Sequence, residues 1–165
     1  MIIASISENQ NIEKRIAITP EIAKKYISLG FEINLPENYG AHLGIIDEEY
    51  KKLGVKISKD ENEILSSSEI IVQLAMLSEE NSLKIKENQT LIGVLNPYDN
   101  KDKLINLSQK KVNVFSLELL PRITRAQSMD ILSSQANLAG YKAVIESFAN
   151  FEKAKIGRAS CRERV

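Results

Sequence analysis

A chain with one cysteine, one histidine and no tryptophan lacks most of the groups from which reactive sites are built. The lone Cys161 excludes an internal disulfide framework and a cysteine-rich metal centre. The lone His42, set in "NYGAHLG", cannot complete a His/Cys cluster and reads as a loop residue, so no metal site is expected. An excess of charge of either sign is missing too. Lys+Arg and Asp+Glu both number 22, and neither end carries a basic block that would track a phosphate backbone, which argues against nucleic acid as a partner. No apolar run approaches the roughly 20 residues of a spanning helix, and "MIIASISENQ" lacks the basic start of a secretion signal, so the chain reads as soluble and cytoplasmic.

What is present is an ordinary globular chain of 165 residues, 43% of them hydrophobic, enough to bury a real core. "MIIASIS" reads as a strand and "ENQNIEKR" as the loop leaving it. A first helix is marked by Thr19 as cap, Pro20 in the first turn, Glu21 for the dipole and Gly30 after the last turn. Strand and helix patterns then alternate: "FEINLPE", "DEEYKKLG", "VKIS", "ENEILSSS", "EIIVQLA", "EENSLKI", "TLIGVL", "DNKDKLINLSQK" and "VNVFSLELL". That alternation predicts an α/β fold, a Rossmann-like parallel sheet with helices on both faces, with Ile70–Leu74 and Leu91–Leu95 in its buried centre. The fold lacks one thing. A dinucleotide-binding turn needs glycines after the first strand so that the backbone can approach a pyrophosphate, and here that position reads "SENQNIE".

The stretch "PRITRAQSMDILSSQANLAGYKAV", Pro121 to Val144, concentrates Arg122, Arg125, Gln127 and Asp130 ahead of a helix expected from Gln127. Ser133, Ala136, Gly140 and Ala143 recur on one stripe, which predicts close approach of another backbone, since a mid-helix glycine costs about 1 kcal/mol relative to alanine. Two readings of the polar residues stand side by side. Thr124 and Gln127 match the spacing of a capping box, Asp130 suits the first turn of a helix dipole, and the arginines suit solvated loop charges. Alternatively these side chains face a ligand. Beyond Ala154 the composition changes: "KIGRASCRERV" carries four basic residues, three of them arginines, and it back-translates into a sequencing-library adapter, so residues 155–165 are expected to be a non-native tail.

The same segment resembles the signature of the α subunit of proton-translocating NAD(P) transhydrogenase, and "KRIAITPE" resembles the opening motif that this family shares with alanine dehydrogenase. The likeness runs from Met1 to about Ala154. It implies a truncated N-terminal lobe, residues 1–126, with a long helix over 127–154 leading toward an NAD-binding lobe that this sequence does not contain. It further implies that Arg122, Gln127, Asp130 and Ser133 contact the nicotinamide of NAD(H), with no catalytic side chain, since hydride passes directly to NADP(H) on a partner component. Other implications are a homodimer in the intact subunit, membrane and NADP(H)-binding partner components, a cytoplasmic position peripheral to the inner membrane, and little activity or NAD(H) affinity for this fragment alone. Alanine dehydrogenase is the competing resemblance. That family sets a lysine and a histidine over pyruvate, and the aligned positions here are Ala75 and Asn96, neither of which transfers a proton at neutral pH, although Arg15 is retained. A non-catalytic binding or scaffold module is the third alternative.

Overall fold

The computed structural model describes residues 1–151, and in it strands and helices alternate as the sequence predicts. Strands β1 (Ile2–Ala4), β2 (Glu32–Pro36), β3 (Lys56–Ser58), β4 (Ile70–Gln73), β5 (Thr90–Gly93) and β6 (Asn113–Ser116) form one sheet in the order β3-β2-β1-β4-β5-β6. Every pairing is parallel. Parallel neighbours require crossovers, supplied by helices α1 (Pro20–Ser28), α2 (Asp47–Lys52), α3 (Glu61–Ser67), α4 (Glu79–Lys84) and α5 (Lys101–Gln109). This is the doubly wound order, in which the winding direction reverses between β1 and β4.

Two cores result, one per face of the sheet, and the strand period of two separates them residue by residue. Ile3 packs with Ile18, Ala23 of α1, Ile33, Leu35 and Tyr50 of α2. Its neighbour Ala4 packs with Ile64 and Leu65 of α3, Ile71, Leu91 and Leu107 of α5. Helix starts follow their caps: Thr19 Oγ1 accepts the Ile22 N–H at 3.4 Å with Pro20 behind it, Asp60 Oδ1 accepts from Asn62 at 2.8 Å, and Ser78 Oγ accepts from Asn81 at 3.2 Å. Gly30 closes α1 at φ 88°, where a Cβ would be strained.

Two boundaries differ from the expectation. The last strand stops at Ser116 and Leu117–Leu119 form a 3-10 turn, because the Glu118 carboxylate accepts the Ser116 hydroxyl at 2.5 Å and the Asn96 N–H at 2.6 Å, bonds that draw the chain out of the ladder. The long helix α6 runs over Ile131–Ala149, with a 3-10 segment Thr124–Met129 ahead of it and Asp130 as its N-cap, so it begins four residues after Gln127.

Met1–Met129 form one compact unit and the chain from Asp130 a second. In the first, both cores described above are complete. In the second, α6 carries Leu138, Tyr141, Val144, Ile145 and Phe148, all exposed and distributed around the helix. A Cβ added at Gly140 meets no atom within 4 Å, so the close backbone approach expected at the small-residue stripe is not found among the described residues. The expected non-native tail, 155–165 with Cys161, lies outside the described residues.

Candidate functional site

Where the winding reverses, the loops leaving β1 and β4 diverge and open a crevice at the carboxyl edge of the sheet, the place where doubly wound sheets accept ligands. The cavity there measures about 370 Å³, and Glu8, Glu13, Gln73, Ala75, Asn81 and Lys103 are among the residues that line it. One lining residue, Gln73, belongs to a buried polar network. The Tyr39 hydroxyl accepts the N–H groups of Ala17 and Ile18 at 3.0 and 3.3 Å and donates to Ser5 Oγ at 2.7 Å. The Gln73 amide, with its nitrogen toward Ser5, donates to Ser5 Oγ at 2.8 Å and to the Val72 and Ile6 carbonyls at 2.9 and 3.3 Å; the opposite orientation would set its oxygen among acceptors only. Tyr50 lies edge-on to Tyr39 and donates to the Ile18 carbonyl at 2.8 Å. Burial pushes both tyrosine hydroxyls above their ordinary range.

The walls are acidic. Glu8 Oε1 accepts from the backbone N–H of Leu74 at 2.6 Å and of Ala75 at 3.3 Å. Burial raises the Glu8 carboxyl, partly offset by those two bonds. Glu13 is held below the usual carboxylate range by its forked bond to Arg15, which donates Nε at 2.8 Å and Nη2 at 2.6 Å. Opposing these stands Lys103 of α5. His42 was expected in a loop, but it sits in a one-turn 3-10 helix, Ala41–Leu43. Its Nε2 lies 2.7 Å from the Lys14 carbonyl, so that nitrogen carries the proton, and Nδ1 accepts from Gln10 Nε2 at 3.3 Å; His42 thereby pins the loop after β1.

At the positions aligned with the lysine and histidine that the alanine dehydrogenase resemblance requires, the chain has Ala75 and Asn96. Ala75 lines the crevice with a methyl group, and Asn96 sits in the β5–α5 loop at φ 44° with its backbone N–H engaged by Glu118. Arg15, the retained residue of that set, is charge-balanced by Glu13.

The four residues singled out in the sequence fall in two units. In the first, Arg122 and Gln127 are exposed on the 121–129 segment, which is tied down by the buried Ala126 and by bonds from the Ile123 N–H to the Pro121 carbonyl at 3.0 Å and from the Ala126 N–H to the Ile123 carbonyl at 2.9 Å. No side-chain hydrogen bond or ion pair of Arg122, Arg125 or Gln127 occurs among the described residues, and Asp130 caps α6, so the capping-box reading of Gln127 with Thr124 does not hold. In the second, Asp130 and Ser133 are brought together. Asp130 Oδ1 accepts the Ser133 N–H at 3.0 Å and Oδ2 accepts the Ser133 hydroxyl at 2.6 Å, which makes Asp130 the cap of α6. The residues that the sequence reading passed over are Ser5, Glu8, Tyr39, Gln73 and Glu118. The signal for two of them was available: Ser5 and Gln73 are polar interruptions in strand runs that are otherwise apolar.

A doubly wound parallel sheet whose switch-point crevice is lined by Glu8 and Glu13 defines a Rossmann-like lobe. Comparison with known proteins gives the family. Residues 5–139 match the family described as alanine dehydrogenase/PNT, N-terminal domain, and the chain belongs to it. It is 38% identical over 158 residues to an NAD(P) transhydrogenase subunit alpha polypeptide of Rickettsia prowazekii, covering 93% of this chain and 41% of that protein. Identity to an alanine dehydrogenase of Methanococcus maripaludis is 25% over 158 residues, covering 96% of this chain and 42% of that protein. The crystal structure of transhydrogenase from Sinorhizobium meliloti superposes with a TM-score of 0.86 at 32% identity, over 98% of this chain and 48% of that one. The chain thus spans less than half the length of the relatives it matches.

Proposed function

We propose that this chain is the N-terminal lobe of the NAD(H)-binding component of a proton-translocating NAD(P) transhydrogenase, with Arg122, Gln127, Asp130 and Ser133 facing the nicotinamide. Hydride then passes from NADH to NADP⁺ on a partner component, and a membrane component couples the transfer to proton passage. The observation that carries the reading is the Pro121–Ser133 segment: the side chains of Arg122 and Gln127 are exposed and make no hydrogen bond among the described residues, and Ser133 is already oriented by Asp130. Supporting it are the higher identity to a transhydrogenase subunit than to an alanine dehydrogenase, and the methyl group of Ala75 where proton transfer would need a lysine.

The residues fit a neutral carboxamide. With its proton committed to Asp130, the Ser133 oxygen presents only lone pairs and accepts from an amide NH₂, while the Gln127 amide can donate and accept. Arg122 and Asp130 bias the ring toward one charge state electrostatically. The nicotinamide supplies the hydride, so these side chains align it and exclude water. A pyrophosphate does not fit the crevice, whose loop after β1 has no glycine and whose walls carry Glu8 and Glu13. It is therefore held by polypeptide beyond this chain, and this chain alone binds NADH weakly or not at all. A homodimer, or the remainder of the longer subunit, covers the apolar side chains around α6. That assembly sits on the cytoplasmic side of the membrane through its partners; no helix among the described residues is long and apolar enough to cross it.

The test uses a subunit of the relatives' full length that carries this lobe. Gln127→Asn and Arg122→Ala should each slow NADH-to-NADP⁺ transfer tenfold or more, roughly 1.4 kcal/mol of barrier, with the melting temperature unchanged. Transfer rates equal to wild type in both variants would sink the assignment.

A further inference from the structure

The β1–β4 pairing, which underlies the crevice, extends over only Ile3–Ile70 and Ala4–Ile71. Beyond it the two loops separate, and the backbone ladder no longer holds them. Glu8 does. Its carboxylate, 66 residues away in sequence, accepts the first two backbone N–H groups past β4, those of Leu74 and Ala75. We propose that Glu8 is a latch across the switch-point crevice, closed while its carboxylate is ionised and released when it is protonated, so that the coupling of the two loops follows pH.

The chemistry runs in one direction. A carboxylate accepts backbone N–H bonds roughly twice as strongly as a neutral acid, so adding a proton weakens the bonds that join the loops. Every charged or titratable group near Glu8 leaves that response in place. Glu13 and Arg15, from the same loop, are forked to each other and change Glu8 mainly through their summed charge. The Tyr39 hydroxyl below is buried and stays neutral. Lys103 of α5 lines the same cavity. Burial sets where the latch titrates, because desolvation of the ionised form shifts it upward from an ordinary glutamate.

The sign separates a latch from a general stabilising contact. A carboxyl whose folded-state pKa is raised contributes stability that is fully present below its unfolded value and is lost as pH rises through its folded value. Acidification should therefore leave the Glu8 contribution to global stability higher while loosening the local Leu74 and Ala75 bonds. Amide hydrogen exchange on the full chain, reported as protection factors from about pH 8 to about pH 4, reads the two separately. In the wild type, protection at Leu74, and less strongly at Ala75, should fall roughly tenfold across the transition while Ile71 and Leu91 hold steady. Glu8→Gln, which keeps the shape and removes the charge, should show the low value at every pH, and Glu13→Gln should move the wild-type transition to lower pH by removing a neighbouring negative charge. Flat protection in the wild type overturns the latch, as does an equal fall in wild type and Glu8→Gln. If Glu8→Gln fails to fold, the wild-type profile decides alone, because a fall shared by Ile71 and Leu91 would be global opening and would also overturn it.

Discussion

Tyr39→Phe should destabilise the first unit more than any other single-atom deletion in its core. The hydroxyl accepts the Ala17 and Ile18 N–H groups at 3.0 and 3.3 Å and donates to Ser5 Oγ at 2.7 Å, while the residue is only 2% exposed, so water cannot replace it. Phenylalanine keeps the ring and its edge-on packing against Tyr50 at 6.2 Å between centroids. The loss is therefore almost purely polar. An orphaned buried donor costs about 1–3 kcal/mol, and two backbone donors lose their acceptor here, the longer bond counting less, so the sum is about 3 kcal/mol. Tyr50→Phe is the internal reference. It removes one bond, to the Ile18 carbonyl at 2.8 Å, and should cost about 1 kcal/mol. Urea unfolding followed by circular dichroism reads both, and in heat the difference corresponds to roughly 6–10 °C, at about 3–5 °C per kcal/mol for a unit of this size. A Tyr39→Phe chain no less stable than Tyr50→Phe, at equal m-value, would show that the network beneath the crevice is not satisfied as described. A double-mutant cycle with Ser5→Ala should return a coupling of about 1 kcal/mol, since the Ser5 and Tyr39 hydroxyls share one hydrogen bond.

The two glycines of opposite surroundings should respond oppositely to alanine. At Gly93, paired with Gln73 in the sheet, an added Cβ overlaps the Gln73 carbonyl, and Gly93→Ala should cost about 2 kcal/mol or more by thermal melt, whereas Gly140→Ala, inside α6 with nothing within 4 Å, should raise helicity and stabilise by about 0.5–1 kcal/mol. Above about pH 10, where unfolded tyrosines ionise, the raised Tyr39 and Tyr50 values mean that the unfolded chain binds fewer protons, so stability should fall as pH rises; Tyr50→Phe should show a shallower alkaline slope in pH-dependent urea melts, and an unchanged slope would refute that burial. Asp130→Ala should lower α6 helicity, at a cost of about 1 kcal/mol, and Asp130→Asn should restore most of it, because the cap needs a side-chain oxygen rather than a charge.

The parallel α/β class of the sheet was legible from the chain alone, because it depends on local period and punctuation. Apolar alternation in "FEINLPE", the Thr19–Pro20 start and the Gly30 stop each act within a few residues, and right-handed parallel crossovers then leave few topologies. The lack of glycine in the loop "SENQNIE" is likewise read from the chain alone. Where α6 begins was not legible. Thr124 with Gln127 and Asp130 with Ser133 are both plausible caps by spacing, and the choice fell to Asp130 once the 124–129 stretch was drawn into a 3-10 segment anchored by Ala126. Neither was the crevice. Ser5, Glu8, Tyr39 and Gln73 are spread over 69 positions, and only the parallel pairings of β1 with β2 and with β4 bring them to one edge. A sequence records a hydrogen bond between near neighbours as a pattern, but a bond across 66 residues leaves no pattern, because its geometry exists only after the sheet has closed.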